Sequence, residues 1–360
     1  MRTSPFFLSA ALLLFSHMIS AQPNPPAAPP STVRPVLVLH GGAGSGWSRT
    51  YRYPEWEARV QRAMTTALDS GYAILDRGGS ALAAVEAAVR TMESSGVFNA
   101  GRGAVRTTTG AAELDAAIMD GATGKAGAIA GLTATKHPIS AARAVADRTE
   151  HVFMVGVGAN AFTRNIGMEQ VGPEWFDLTL DPEHRVYYEK LKAWRAVQPK
   201  RSSNGSLLFD ANPAEQMTLP PSPKMGTVGA VALDAQGHLA AATSTGGTDQ
   251  KLPGRVGDVP VLGAGTYADS LVAISCTGHG EYYIRHVVAH SVACRVAYLH
   301  EPLDQATRHL IFTVLNENEG AGGLIAVDRL GNVSFPFNTT AMPVAIRKRG
   351  EADRILFYRD

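Results

Sequence analysis

The apolar run Val36-Leu37-Val38-Leu39 empties into His40-Gly41-Gly42-Ala43-Gly44, the pattern of a buried strand ending in a glycine turn. Ser80 stands where a helix cap belongs, and Leu82, Val85, Val89 and Met92 then share one face at helical spacing. A loop is expected over Gly96 to Gly103. Glu113 to Met119 and Ala126 to Leu132 read as strands, and Ser140 to Arg148 as a helix after Pro138. Val228, Ala230 and Ala232, then Leu239 and Ala241, flank the turn Asp234-Ala235-Gln236-Gly237 and predict a β-hairpin that runs into Thr243-Ser244-Thr245-Gly246-Gly247. Ile284, Val287, Val288 and Val292 mark a helix after Gly280. Leu324 to Val327 and Val333 to Phe337, around Arg329-Leu330-Gly331-Asn332, form a second hairpin that is expected to close the chain. Hairpin sheets with helices outside them imply a layered α+β fold.

Between these patterned regions the character changes. From Asp181 to about Met225 a charged stretch gives way to Lys200-Arg201-Ser202-Ser203-Asn204-Gly205 and to Pro213, Pro220, Pro221 and Pro223, an exposed linker by composition. At the start of the chain, Arg2, the apolar stretch Phe6 to Phe15 and Ile19-Ser20-Ala21 have the form of a cleaved export signal, with removal expected after Ala21. A proline-rich leader over 22–32 follows. A periplasmic or secreted protein is the expectation, and the apolar stretch is too short to favour a retained membrane anchor. Of the two cysteines, Cys276 and Cys294, a disulfide is possible, but two buried thiols are favoured in a chain of 360 residues. Lys and Arg total 33 against 32 for Asp and Glu, which lacks the basic excess that phosphate contacts require and disfavours nucleic-acid binding.

Several glycine- and histidine-rich stretches suggest chemistry that they do not carry through. Gly41 to Ser48 has P-loop spacing, but Trp47 stands where the phosphate-binding lysine belongs. Gly156-Val157-Gly158-Ala159-Asn160-Ala161, with Asp177 downstream, is a weak dinucleotide fingerprint, read as a tight strand-to-helix turn with no parallel βαβ unit before it. His40-Gly41-Gly42 has the look of an oxyanion loop, yet Gly-x-Ser-x-Gly is missing. His286 and His290 have metal-ligand spacing, without a Glu after His286, on the polar side of their helix.

Thr227 stands apart from these. A threonine that begins a strand is ordinarily only a β-former. Here a proline-rich linker ends at Gly226, and cleavage at that point would leave a residue with a hydroxyl and a new α-amine on one unit. An α-amine, with a pKa near about 8, can act as general base for that hydroxyl. Gly226 suits such a step because glycine accepts strained backbone cheaply and leaves its carbonyl open.

Thr227-Val228-Gly229-Ala230-Val231-Ala232-Leu233-Asp234, Thr243-Ser244-Thr245-Gly246-Gly247, Leu252-Pro253-Gly254-Arg255-Val256-Gly257-Asp258 and Thr277-Gly278-His279-Gly280-Glu281 follow one another in that order. With His40 to Gly44 and Phe98-Asn99-Ala100-Gly101 upstream, the chain resembles the plant-type L-asparaginases, or isoaspartyl peptidases, of the N-terminal-nucleophile hydrolases, from about Val33 to the last hairpin. The resemblance implies a four-layer αββα sandwich, made as one domain over 33–360 and cut between 226 and 227 into an α subunit, 22–226, and a β subunit, 227–360. Two such pairs would associate as a dimer.

The same resemblance implies roles. Thr227 would be the nucleophile, Thr245 its orienting neighbour, and Thr277 with the Gly278 N–H the oxyanion hole. Arg255 would hold the substrate α-carboxylate and Asp258 the α-ammonium, assisted by Gly278 and Gly280, with Asn99 also at the substrate. No organic cofactor is implied. A structural sodium ion would sit on backbone carbonyls of Met92, Glu93, Ser95, Phe98, Ala100 and Arg102. His279 would be a pocket-wall residue. The expected activity is hydrolysis of asparagine and of β-aspartyl peptides. Glycosylasparaginase activity and a non-catalytic, exported amino-acid-binding protein are the alternatives.

Overall fold

A computed structural model describes residues 33–44, 54–178, 185, 226–315 and 320–358. The expected export signal and leader, Trp47 and Ser48, and the linker from Asp181 to Met225 apart from Arg185 lie outside the described residues. From Val33 onward the chain forms one compact unit.

Among the described residues, twelve strands make two sheets. In chain order they are β1 (Val36–His40), β2 (Leu114–Asp120), β3 (Ala126–Leu132), β4 (Phe153–Val155), β5 (Val228–Leu233), β6 (Leu239–Thr245), β7 (Thr266–Ala268), β8 (Val272–Gly278), β9 (Gly322–Asp328), β10 (Val333–Ser334), β11 (Ala341–Lys348) and β12 (Arg354–Tyr358). The large sheet runs β12-β11-β1-β5-β6-β2-β3-β4 and the small one β10-β9-β8-β7. The described helices are α1 (Pro54–Asp76), α2 (Ala81–Ser95), α3 (Pro138–Arg148), α4 (Gly156–Asn165), α5 (Gly280–His286), α6 (Val288–Tyr298) and α7 (Leu303–His309).

Strand alternation sorts the core into three apolar layers. Leu37 and Leu39 of β1, with Val228, Ala230 and Ala232 of β5, pack against α1 and α2. Val36, Val38, Val231 and Leu233 point the other way and meet Ala273, Ile325 and Val327 of the small sheet. Val272, Ile274 and Cys276 face α5, α6 and α7. Helix, sheet, sheet and helix therefore stack as the four-layer α+β sandwich that the sequence motifs imply. Alanines on both surfaces, Ala230, Ala232, Ala240 and Ala242 against Ala81, Ala84 and Ala88, let α2 lie close on the large sheet. Larger side chains there would overpack it.

The helix after Ser80 forms as its spacing predicts. Ser80 Oγ accepts from the Ala83 N–H at 3.3 Å, and the helix ends on Gly96 at φ 68°, in the left-handed region that favours glycine. The Asp234 turn also forms, and its carboxylate accepts from Gln236, His238 and the first residue of α2, Ala81.

The structure corrects several local expectations. The hairpin around Leu330 does not close the chain: β11 and β12 follow, and β11 pairs with β1 from Val36 opposite Lys348 to His40 opposite Val344. A parallel βαβ unit does precede Gly156, since β3, α3 and β4 lead into it and β4 pairs in parallel with β3. The helix after Gly280 breaks at Val287, whose φ of 47° separates α5 from α6 and turns its side chain outward, 44% exposed. Both cysteines are free, and Cys294 is half-buried beside His290 rather than in the core. The 23-residue α1 escaped the sequence reading altogether.

Candidate active site

Thr227 precedes β5 by one residue, and the antiparallel register that sets Val228 opposite Ser244 and His40 opposite Gly229 carries Thr227 to Thr245. Both side chains then project into the layer between the sheets, because they share the parity of Val231 and Ala241. The Thr227 hydroxyl donates to Thr245 Oγ1 at 3.0 Å, and the Gly247 N–H donates to the same oxygen at 3.0 Å. Two donors on one oxygen turn the lone pairs of Thr245 toward Thr227 and Gly247 and direct its own hydrogen elsewhere.

Thr277 comes from the other sheet, near the end of β8, and is 1% exposed. Its Oγ1 accepts the Ala43 N–H at 3.1 Å, which leaves the hydroxyl hydrogen for another acceptor. That hydroxyl lies beside Gly226: a Cβ placed on Gly226 would sit 3.4 Å from Thr277 Oγ1 and 3.2 Å from the Ala43 carbonyl. Gly42, at φ 102°, presses on the Gly226 backbone so closely that any side chain there would collide with it. The glycine turn after β1 thus wraps the bond before Thr227. At Gly278 a Cβ would lie 2.5 Å from the Ala321 carbonyl and 2.8 Å from Gly322 Cα, which keeps that backbone N–H unshielded by a side chain.

Arg255 and Asp258, expected to hold the substrate, stand on the loop between β6 and β7. Asp258 is 4% exposed, and its Oδ2 is buried without a hydrogen-bond partner among the described residues. Burial raises its pKa to about 7, offset in part by its own backbone and by Arg255. A buried carboxylate oxygen without a partner can receive a cation. Gly280 adjoins it, since a Cβ there would lie 2.8 Å from Asp258 Oδ1. Arg255 makes a bidentate pair with Glu281, Nε to Oε1 at 2.9 Å and Nη2 to Oε2 at 2.8 Å. Burial, the largest single influence, pushes the Glu281 carboxyl up, but the hydrogen bond and charge of Arg255, with smaller help from its own backbone and His279, together bring the pKa below the usual value. The Nη1 edge of Arg255 is turned toward Gly247 and Gly257.

Gly247 joins the two halves. Its N–H reaches Thr245, while a Cβ on it would meet Lys251 Nζ at 3.0 Å and Arg255 Nη1 at 3.3 Å. Lys251 is itself buried, donating to the Glu113 carbonyl at 2.9 Å and lying 3.9 Å from Asp115. Asn99 donates through Nδ2 to the Gly247 carbonyl at 2.6 Å and accepts the Val105 N–H at 2.9 Å. It therefore reaches the site through the Gly246–Gly247 turn.

Asn99 belongs to the loop expected to bind a cation. The Glu93 carbonyl would lie 2.7 Å from a Cβ on Gly101, and the Phe98 and Gly96 carbonyls crowd Gly103, so main chain packs directly against main chain in this loop. The Phe98 and Ala100 carbonyls accept the Ala100 and Gly103 N–H groups, and the Met92 carbonyl accepts from Ser95 Oγ. Neutral carbonyl donors suit a hard monovalent ion. The Glu93 side chain is spent elsewhere, on Ser244 Oγ at 2.6 Å and the Ile139 N–H at 2.9 Å.

Among the described residues no group of three or more His, Cys, Asp or Glu side chains could hold a metal, and His286 and His290 are exposed on α5 and α6. No described helix is long and apolar enough to cross a membrane. Glu281 ended a quoted motif and Lys251 stood one residue before another, neither with an assigned role. Their charges became meaningful only when the fold set them beside Arg255 and Gly247.

An isoaspartyl peptidase of Salmonella typhimurium is 44% identical over 326 residues, which is 90% of this chain and 99% of that protein. An Escherichia coli isoaspartyl peptidase is also 44% identical over 326 residues, covering 90% of this chain and 96% of its own. A plant-type L-asparaginase of Thermococcus kodakarensis is 38% identical over 315 residues, covering 88% and 97%. The asparaginase family pattern matches residues 33–357, from the strand before the glycine turn to the last strand of the large sheet, and the chain belongs to that family.

Proposed function

We propose that this chain is a threonine hydrolase that cleaves β-aspartyl peptides and deamidates L-asparagine, after cutting itself between Gly226 and Thr227. The observation that carries the reading is the Thr227 hydroxyl, 3.0 Å from Thr245 Oγ1 and immediately after a glycine that the Thr277 hydroxyl and the glycine turn enclose.

In maturation the Thr227 oxygen attacks the Gly226 carbonyl carbon, the peptide C–N bond breaks, and the resulting ester is hydrolysed by water. Gly226 leaves with a carboxylate and Thr227 keeps a free amine. In turnover that amine takes the Thr227 hydroxyl proton as the oxygen attacks the substrate side-chain carbonyl, and passes it to the departing ammonia or peptide amine. Water then releases aspartate from the acyl-enzyme. Thr277 and the Gly278 N–H donate to the oxyanion in both tetrahedral intermediates. Asp258 takes the substrate α-ammonium and Arg255 its α-carboxylate. A free amine and a free carboxylate on one carbon describe asparagine and β-linked aspartyl residues, and exclude α-linked peptides.

The carbonyls of Met92, Glu93, Ser95, Phe98, Ala100 and Arg102 would hold a sodium ion. Its charge would stiffen the loop that carries Asn99 and, through Gly247, Thr245. Pairing of two cleaved α/β units as a dimer and export after removal of residues 1–21 complete the reading. They are checked by light scattering and by an amino terminus at Gln22.

Incubation of purified protein followed by a denaturing gel tests the core of it. The single chain should convert into two pieces that meet at the 226–227 bond, and the converted protein should release ammonia from asparagine and leucine from β-aspartyl-leucine. An uncut, inactive chain would refute the reading.

A further inference from the structure

Gly278 ends β8, and the direction of its N–H is set from the far side of the small sheet. It stands opposite Gly322, the first residue of β9. Main-chain groups along β9 alternate in direction. The Leu324 N–H turns away from β8 to the Pro336 carbonyl at 3.1 Å, and Gly322, two residues earlier, turns the same way. Both of its groups meet Asn338. The Gly322 N–H donates to Asn338 Oδ1 at 2.7 Å, and the Asn338 N–H donates to the Gly322 carbonyl at 2.9 Å. Gly278 and Gly322 are therefore a non-hydrogen-bonded pair, in which each residue directs its N–H and C=O away from the other. The Cys276 N–H accordingly reaches the Gly265 carbonyl at 2.8 Å on the β7 side, and the Gly278 N–H points the same way, beyond the last β7 pairing. Among the described residues no loop carbonyl accepts it.

The pair is packed too tightly to turn. A Cβ on Gly322 would lie 2.7 Å from Gly278 Cα and 2.5 Å from Tyr283 Oη, and one on Gly278 would lie 2.7 Å from the Tyr283 ring. Asn338 is 5% exposed, and both ends of its amide are used. Nδ2 shares its hydrogens among the carbonyls of Leu315 at 3.1 Å, Gly320 at 3.3 Å and Ile311 at 3.4 Å, acceptors left open where the helical turn Leu310–Val314 ends. Those partners can only accept and the Gly322 N–H can only donate, which fixes the identity of the two amide atoms. Three residues further, Ala341 exchanges main-chain hydrogen bonds with Gly44. One segment thus holds both the partner of Gly278 and the end of the glycine turn.

We propose that Asn338 is a positioning residue for the oxyanion hole: its Oδ1 and main-chain N–H hold the Gly322 groups outward, and the close Gly278–Gly322 pair then keeps the Gly278 N–H aimed at the developing negative charge. The inference rests on the proposed function, in which Gly278 serves the oxyanion. A role confined to folding would work through Nδ2, which ties the end of the helical turn. Positioning works through Oδ1, which holds Gly322.

Two substitutions separate these roles. Asn338→Asp keeps Oδ1 but not the amide donors, its buried carboxyl taking up a proton, whereas Asn338→Leu keeps the volume and loses both ends. Each is compared with the wild type for melting temperature and, per matured chain, for kcat and KM on asparagine. Asn338→Leu is expected to lower kcat about tenfold, the loss of one positioning hydrogen bond, with KM within about twofold. Asn338→Asp should melt well below wild type and yet keep most of its kcat. In glycine-15N spectra, the product aspartate should shift the Gly278 amide proton downfield in wild type and in Asn338→Asp, and less in Asn338→Leu. Wild-type kcat in Asn338→Leu, an effect on KM alone, or equal kcat losses in the two variants would overturn the proposal. If neither variant folds and matures, the wild-type spectrum decides it. The Gly322 amide should then be protected from hydrogen exchange and the Gly278 amide should respond to aspartate; a rapidly exchanging Gly322 or an unresponsive Gly278 overturns the assignment. These results refute the role of Asn338 alone when the wild type matures and turns over, whereas a wild type that never matures sinks the threonine-hydrolase reading itself.

Discussion

The two ends of the site are built from different materials. Around Thr227 there are hydroxyls, glycines and main-chain groups, nearly all neutral and tied across the two sheets by bonds such as Ala43 to Thr277. Around Asp258 there are charges on a loop: Arg255 paired with Glu281, Lys251 near Asp115, and a carboxylate with an unpartnered oxygen. The neutral end can be held rigid at little desolvation cost, which suits a group that must meet a transition state at one angle. The charged end keeps a buried Asp258 carboxylate oxygen without a hydrogen-bond partner among the described residues, which suits the proposed hold on a substrate cation. Damage to the first should appear in kcat and damage to the second in KM.

The sharpest break in that contrast is Thr227→Ala, which should remain a single chain and release no ammonia. Ammonia release at even one per cent of the wild-type rate would place the nucleophile elsewhere. Thr277→Val keeps the shape and removes an oxyanion donor, so kcat should fall roughly 100- to 1,000-fold with little change in KM. Maturation should slow as well, which a time course on denaturing gels reads directly.

Asp258→Asn tests the charged end. It should raise KM for asparagine roughly 10- to 100-fold, the worth of a charge-assisted hydrogen bond, and leave maturation intact. Stability should move the other way. The folded-state pKa of Asp258, about 7, lies above its unfolded value, so the folded protein holds the proton that the unfolded chain has released. The empty protein therefore loses stability as pH rises from about 4 to about 7, by at most about 4 kcal/mol for a shift of this size. Asp258→Asn should flatten that loss and melt higher than wild type at pH 8. Wild-type KM should likewise decline as pH rises through about 7, because the ammonium needs the ionised carboxylate. A melting temperature at pH 8 lower in the variant than in wild type would refute the buried-charge account.

Glu281→Gln is the mildest test. Glu281 occupies Arg255 in the empty site, and it is half exposed, so removing its charge should change KM only about two- to fivefold. The change should be downward if the carboxylate competes with the substrate, and upward if it mainly aims the guanidinium. A change in kcat without one in KM would erase the division between the two ends.

Much of this was legible in the residues themselves. β1, the capped α2, the Asp234 turn and the strand after Gly226 follow from local apolar spacing and turn chemistry, forces that act within a few residues. The ordered threonine motifs pointed to Thr227 before any coordinate was known. What failed locally failed for physical reasons. Val287 fits a helical stripe but sits at a break between two helices, and β11, with Pro343 inside it and Ala341 and Ala345 on one face, has little strand character until it pairs with β1.

Tertiary structure alone decided the partners. The Ala43–Thr277 and His40–Ser275 contacts join residues 234 and 235 positions apart, and no periodicity reports which side chain the opposite sheet will offer. Arg255 beside Glu281 arises in the same way. The sequence by itself determined which residues can do chemistry, because that depends on side-chain type and local spacing. The packing of one sheet on the other determined which of them meet, because the apolar layers that set that register draw on strands from the whole length of the chain.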